Sequence, residues 1–335
     1  MRKSRFHLNT NIDFIKQSRF SFVISLILIV VSIVSLNIKG LNYGIDFLGG
    51  ILFEVQSSET IDMSDMRSKV DGLKLGGEAN LQSIGTSGNE MLIHVLADTS
   101  DKQAQEEVIS KIKTTLGEKV TYRRIEVVGP KVGSELLRKS LWASVFALLA
   151  IAIYIWFRFE WQFSLACLIA LAHDLVLTVG LFSVLGLDFN MTVVAGLLSV
   201  AGYVTNDKVV NFDRIRENLK LFRKMPIPEL LNKSLNEILS RTILTSITTI
   251  IVLLVLMFVG GETLFGFSVC LTFGVIVGTY SSLYIAVPLL RFFDLRKIGA
   301  TASFQNPEYV EASRYEEEAK KAPLTHHSCN HCKRR

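Results

Sequence analysis

Six stretches of about twenty apolar residues, nearly free of charge, constrain this chain more than any other feature. They cover about residues 20–38, 141–157, 163–187, 189–212, 242–259 and 264–290. A hydrocarbon layer about 30 Å thick takes roughly 20 helical residues to cross. Inside it, backbone N–H and C=O groups must be satisfied within the segment, which makes each stretch a helix. Composition agrees: 49% of the 335 residues are hydrophobic, only 20% are charged, and mean hydropathy is +0.36. A soluble domain carries more charge than this. The fold class expected is an α-helical polytopic membrane protein with six transmembrane helices.

The first block follows Arg2, Lys3, Arg5, Lys16 and Arg19 and is too long for a signal peptide. Lys39-Gly40-Leu41 follows it, with no small-x-small cleavage site. Residues 1–19 therefore read as a cytoplasmic N-terminus and 20–38 as the first span. Residues 39–138 have ordinary soluble composition. Their pattern predicts strands near 51–56, 79–84, 91–96 and 120–127, with helices near 62–73 and 102–116. The order βαββαβ is that of a ferredoxin-like α+β sandwich, here an extracytoplasmic domain. It has no cysteine, so no disulfide framework is expected there. Residues 139–290 hold the other five spans, with a polar, basic loop at 213–241, and residues 291–335 form a cytoplasmic tail. The turns expected outside, at Asp188 and at Glu262, have no Lys or Arg, whereas the turn at Arg158 and the 213–241 loop are basic. That asymmetry puts both termini in the cytoplasm.

The net charge of +5 sits mostly beside the apolar blocks, where it orients spans, and no nucleic-acid motif accompanies it. There is no hydrolytic triad signature, phosphate-binding loop or dinucleotide fingerprint. An enzyme is not expected, and neither is a cofactor. Cys329 and Cys332 stand beside His326, His327 and His331 in the tail; spacing of this kind can bind zinc, but no metal site is expected of so short a cluster.

An ionisable group inside a bilayer costs about 2.5–3.5 kcal/mol on insertion scales, so each one needs a reason. Asn206-Asp207-Lys208 lies in the fourth block. Asp207 is about 27 Å from its outer end at the helical rise of 1.5 Å per residue. Arg241 opens the fifth block at comparable depth, so the two can meet across antiparallel helices as an acid–base pair. An acid held between desolvation and a guanidinium can load and release a proton. His173 and Asp174 lie near the middle of the third block. They read either as part of a relay or as a packing pair, since neighbours in sequence point to different helix faces. Lys208 can snorkel to the surface or neutralise Asp207. Asp213-Arg214-Ile215-Arg216-Glu217-Asn218 begins at the membrane edge and reads as a solvated, ion-paired helix. Gly274 and Gly278, with Ala195, Gly196, Ser199 and Gly202, allow close helix approach.

Several strings together resemble the SecF family of protein-export subunits over about residues 10–295. They are Tyr43-Gly44-Ile45-Asp46-Phe47-Leu48-Gly49-Gly50, Val128-Gly129-Pro130-Lys131-Val132-Gly133 and Phe157-Arg158-Phe159-Glu160-Trp161. His173-Asp174, Gly202-Tyr203-Val204-Thr205-Asn206-Asp207, Asp213-Arg214-Ile215-Arg216-Glu217-Asn218 and Ser240-Arg241-Thr242 complete the set. The resemblance implies a place in the resistance-nodulation-division superfamily. It implies pairing with SecD, assistance to the SecYEG channel and the SecA motor, and export of a translocating polypeptide driven by the proton-motive force. The family's intramembrane Asp and Arg match Asp207 and Arg241. Lys208 and Asn211 stand where many relatives carry small or apolar residues. The alternatives are a small-molecule or lipid exporter of the same superfamily, a purely structural subunit, and sodium in place of the proton, held by Asp207 and Asn206.

Overall fold

A computed structural model of the protein describes residues 12–57, 62–73, 79–84, 89–96, 102–117 and 120–295. The basic cluster at residues 2–5 and the cysteine–histidine tail lie outside the described residues. The chain begins with α1 (Phe14–Ile38), β1 (Asn42–Tyr43) and α2 (Ile45–Leu48). A compact unit follows: β2 (Gly50–Ser57), α3 (Met63–Asp71), β3 (Ala79–Ile84), β4 (Glu90–Val95), α4 (Lys102–Leu116) and β5 (Val120–Val128). The membrane part resumes with α5 (Pro130–Arg158) and α6 (Trp161–Leu185), then β6 (Asp188–Phe189), α7 (Met191–Leu221), α8 (Ile227–Val259) and α9 (Gly261–Ser281).

Among the described residues, six helices are long and apolar enough to cross a membrane; the last runs from Thr263 to Phe292 through α9 and the turns after it. Helices α1, α5 and α8 carry rows of exposed apolar side chains, among them Leu26, Phe146 and Val252. That is what a helix facing lipid or a partner subunit requires, since hydrocarbon solvates such side chains. Helices α6 and α9 bury most of their surface and form the centre. Glycine makes that centre tight. A Cβ on Gly274 would come within 2.3 Å of Val200, and one on Gly278 within 2.1 Å of Val204, so α9 lies directly against α7. Gly202 meets nothing within 4 Å and is not part of this seam.

After Ser281 the helix widens into a π-turn over Ser282–Ala286. Consecutive α-helical residues are rotated by about 100°, and a π-turn inserts an extra residue and re-aims side chains locally. Ser281 and Ser282 are both fully buried at this point.

The sheet has the order β3-β4-β2-β5, antiparallel throughout. This is the ferredoxin-like arrangement, and the strand and helix limits fall within one or two residues of those read from the pattern. One sheet face packs on α3 and α4 through Ile51, Phe53, Val55, Ile93 and Ile112. The alternate residues, such as Leu52, Gln82, Leu92 and His94, turn toward the membrane part and line a cavity of about 250 Å³. Asp188 joins the two parts: its carboxylate accepts from Asn42 at 2.6 Å and Gln82 at 3.0 Å, and His94 Nε2 lies 3.3 Å away. The pair Gly49-Gly50 makes the entry to the sheet. Both have positive φ, and a Cβ on Gly50 would sit 2.5 Å from the Val95 carbonyl oxygen. Helix α5 starts with a proline at Pro130, well before the apolar block at 141, because proline's fixed φ suits the first helical turn.

Candidate functional site

The most costly groups in the chain lie together where α6, α7 and α9 meet. Asp174 on α6 is completely buried. Its Oδ2 accepts from Lys208 Nζ of α7 at 2.7 Å and from Ser281 Oγ at 2.8 Å. Its Oδ1 lies 2.9 Å from His173 Nδ1. Lys208 is also 0% exposed. Two opposite charges at this depth compensate each other, and the serine and histidine fill the remaining lone pairs; a buried pair without such support would be strongly unfavourable. His173 Nε2 is buried without a partner.

This corrects two expectations. Lys208 neither snorkels nor bonds to Asp207; it is pinned to Asp174 one helix away. His173 and Asp174 do not diverge, because the imidazole turns back along α6 to its neighbour's carboxylate.

Asp207 is the next residue on α7 and so points about 100° away from Lys208. It faces the Ser282 and Thr242 hydroxyls, with the charges of Lys208 and Arg241 acting on it. Its Oδ2, Ser282 Oγ and Thr242 Oγ1 are buried without a full hydrogen bond. Among the described residues no ion pair within 4.0 Å joins Asp207 to Arg241. The expected acid–base contact is therefore not made in this conformation: Arg241 is exposed on α8, and its influence on Asp207 is exerted from a distance. Asn206 is exposed and takes no part in the cluster.

Asp213 and Arg214 sit at the far end of α7 in a clasp. Asp213 receives Arg158 at 2.8 and 2.9 Å. Arg214 reaches Glu217 at 2.6 Å and Glu237 of α8 at 2.8 Å. Arg216 reaches Glu160 at 3.0 Å and, like Arg158, lies over the Phe159 ring. These bonds tie the α5–α6 turn and the start of α8 to α7, whereas the sequence reads as a solvated helix with ion pairs of its own.

The sequence reading missed Ser281, Ser282 and the π-turn that presents them. A serine pair inside an apolar block was the available signal. It also missed that Lys208 answers Asp174; opposite charges in consecutive antiparallel spans could have suggested it. Among the described residues no group of His, Cys, Asp and Glu is placed to hold a metal ion.

Chemically, the site offers one neutralised carboxylate, Asp174, and one carboxylate, Asp207, with unused acceptor capacity beside two hydroxyls. Of the two carboxylates, Asp207 is the one with an oxygen left unpartnered.

Comparisons with known proteins agree with one another over most of the chain. The family model described as "Protein export membrane protein SecD/SecF, C-terminal" matches residues 108–296, and that of the "SecD/SecF GG Motif" matches residues 34–61, which include Gly49-Gly50. The "Protein translocase subunit SecF" of Rickettsia felis is 43% identical over 85% of this chain and 92% of its own length. The protein of the same description from Desulfurispirillum indicum is 42% identical over 86% of this chain and 93% of its own. The crystal structure of SecDF, a translocon-associated membrane protein from Thermus thermophilus, superposes with a TM-score of 0.79 at 33% identity over 87% of this chain. This chain spans only 40% of that one. On these matches and this fold, the chain belongs to the SecF branch of the SecD/SecF family of protein-export membrane proteins.

Proposed function

We propose that this chain works with a SecD-type partner as an auxiliary subunit of the Sec translocase, and that it promotes polypeptide export across the bacterial inner membrane with the proton-motive force. The sheet domain lies on the outer side and both termini lie in the cytoplasm. The partner completes a twelve-helix unit that assists the SecYEG channel and, through it, the SecA motor. One observation carries the energetic part: Asp207 is mostly enclosed at membrane depth, beside Ser282 and Thr242, with an oxygen that nothing satisfies. Such a group persists in a membrane protein where its charge state is used.

Asp174 is saturated by Lys208, Ser281 and His173 and serves as the fixed reference of the cluster. Asp207 takes up the proton. Protonation removes its charge, weakens its attraction to Lys208 and Arg241, and lets α7 and α8 shift against the π-turn. A charge crossing 100 mV releases about 2.3 kcal/mol. That shifts a two-state equilibrium by around fifty-fold. The shift reaches the sheet domain through Asp188, in β6 just ahead of α7.

The test is secretion of a reporter polypeptide into inverted membrane vesicles with and without an uncoupler. Wild type loses its gradient-dependent part when uncoupled. Asp207→Asn, inserted and folded as wild type, shows the uncoupled rate in both conditions. Gradient-dependent export that survives Asp207→Asn would refute the proposal.

A further inference from the structure

Asn211 stands one turn beyond Asp207 on α7. It is 0% exposed, and neither its Oδ1 nor its Nδ2 has a hydrogen-bond partner. An amide buried this way leaves an acceptor and two donors unpaired, and such groups in folded proteins are paired with ordered water. Asn218, two turns further on, is buried too and has an unpartnered Oδ1, while its Nδ2 donates to Ser234 Oγ at 2.9 Å and Glu237 Oε2 at 2.8 Å. At about 100° per residue, Asp207, Asn211 and Asn218 fall within about 40° of one another around α7.

Helix α8 runs antiparallel along the same face. Asp207 faces Thr242 at one end, and Arg214 and Asn218 reach Glu237 and Ser234 at the other. Asn211 is level with the turn between these contacts. About 6 Å of helix axis separates it from Asp207, a distance that one or two hydrogen-bonded waters span.

We propose that Asn211 holds ordered water and is the middle rung of a hydrated line from Asp207 to the membrane face opposite the sheet domain, emerging at Asn218 and Glu237. The proposal rests on the reading that Asp207 is the ion-carrying group: the line is the path by which its proton reaches, or leaves, the aqueous phase. Asn211 touches the transported proton only through water, so it is a positioning residue for that path.

Leucine has the same heavy-atom branching as asparagine and no polar atom. Asn211→Leu removes an unsatisfied amide and is expected to fold as well as wild type, with thermal stability unchanged or raised by a few degrees. Its gradient-dependent export falls to the uncoupled rate. Asn211→Ser keeps a hydroxyl and leaves room for water, and retains most of that export. A role in packing alone predicts the opposite order, with leucine the milder change.

A second measurement does not depend on transport. In full-length chain with its partner, with the four native cysteines changed to alanine, Asn211→Cys is exposed to silver ion from the α7–α8 turn side of inverted vesicles. It is expected to react as readily as Glu217→Cys, which lies on the exposed face, whereas Phe212→Cys, buried among apolar side chains about 100° away around α7, stays unreacted. Reaction of Asn211→Cys as slow as that of Phe212→Cys, or wild-type export by Asn211→Leu, overturns the hydrated line. Silver reactivity that persists while Asp207→Asn exports normally would instead overturn the proton reading and leave the water line standing.

Discussion

At the scale of single residues, the cluster separates two carboxylates by environment. Asp174 is neutralised at 2.7 Å by a lysine as deeply buried as itself. Removing one member of such a pair leaves a bare charge in a low-dielectric site, at a loss of about 3–5 kcal/mol. Lys208→Met and Asp174→Leu are each expected to lower thermal stability in detergent by that order. The double variant, which leaves neither charge, should recover most of the loss; a double variant as unstable as the sum of the singles would contradict the pairing. Much of this was legible beforehand. The depth of Asp207, Asp174 and Arg241 followed from counting residues along apolar blocks. The partners did not, because whether Lys208 reaches Asp174 or Asp207 depends on the rotation of α7 against α6, and a one-residue step turns a side chain by about 100°.

Among elements, close helix approach and the two glycine pairs matter most. Gly278→Val would drive branched methyls into Val204, 2.1 Å from where its Cβ would sit, and α9 would have to move off α7. Overpacking of this kind costs about 1–3 kcal/mol. Here it also displaces Ser281 from Asp174, so the variant should lose export activity beyond its loss of stability, measured as export per folded molecule. Gly50→Ala meets the Val95 carbonyl at 2.5 Å and a φ of 118° that alanine resists. Backbone strain of about 1–3 kcal/mol is expected, read as a lowered midpoint of thermal unfolding. The alternation of the strands and the limits of α3 and α4 were readable because they are local. The π-turn at Ser282–Ala286 was missed, although Pro288 just beyond it, which has no N–H to bond back to Tyr284, was a local signal for a distorted helix.

Over the whole molecule, the sheet domain and the membrane helices are joined where strands β1 and β6 pair and where Asp188 accepts from Asn42 and Gln82, with His94 Nε2 3.3 Å away. Asp188 opens the segment that leads into α7, the helix carrying Asp207 and Lys208, so under the proposed function a rotation of α7 would reach the domain through a short covalent lever. Asp188→Ala removes that junction while leaving the buried cluster intact. It should uncouple ion movement from export, so that gradient-dependent secretion is lost while proton flux persists; loss of both together would place Asp188 in folding instead.

The central claim is that Asp207 exchanges a proton during work. The most direct measurement is proton movement out of inverted vesicles that contain the chain and its partner, followed with a lumenal pH indicator during export of a polypeptide. The account predicts polypeptide-dependent loss of lumenal acidity in wild type and none in Asp207→Asn at equal amounts of folded protein. Equal loss in the two would contradict it.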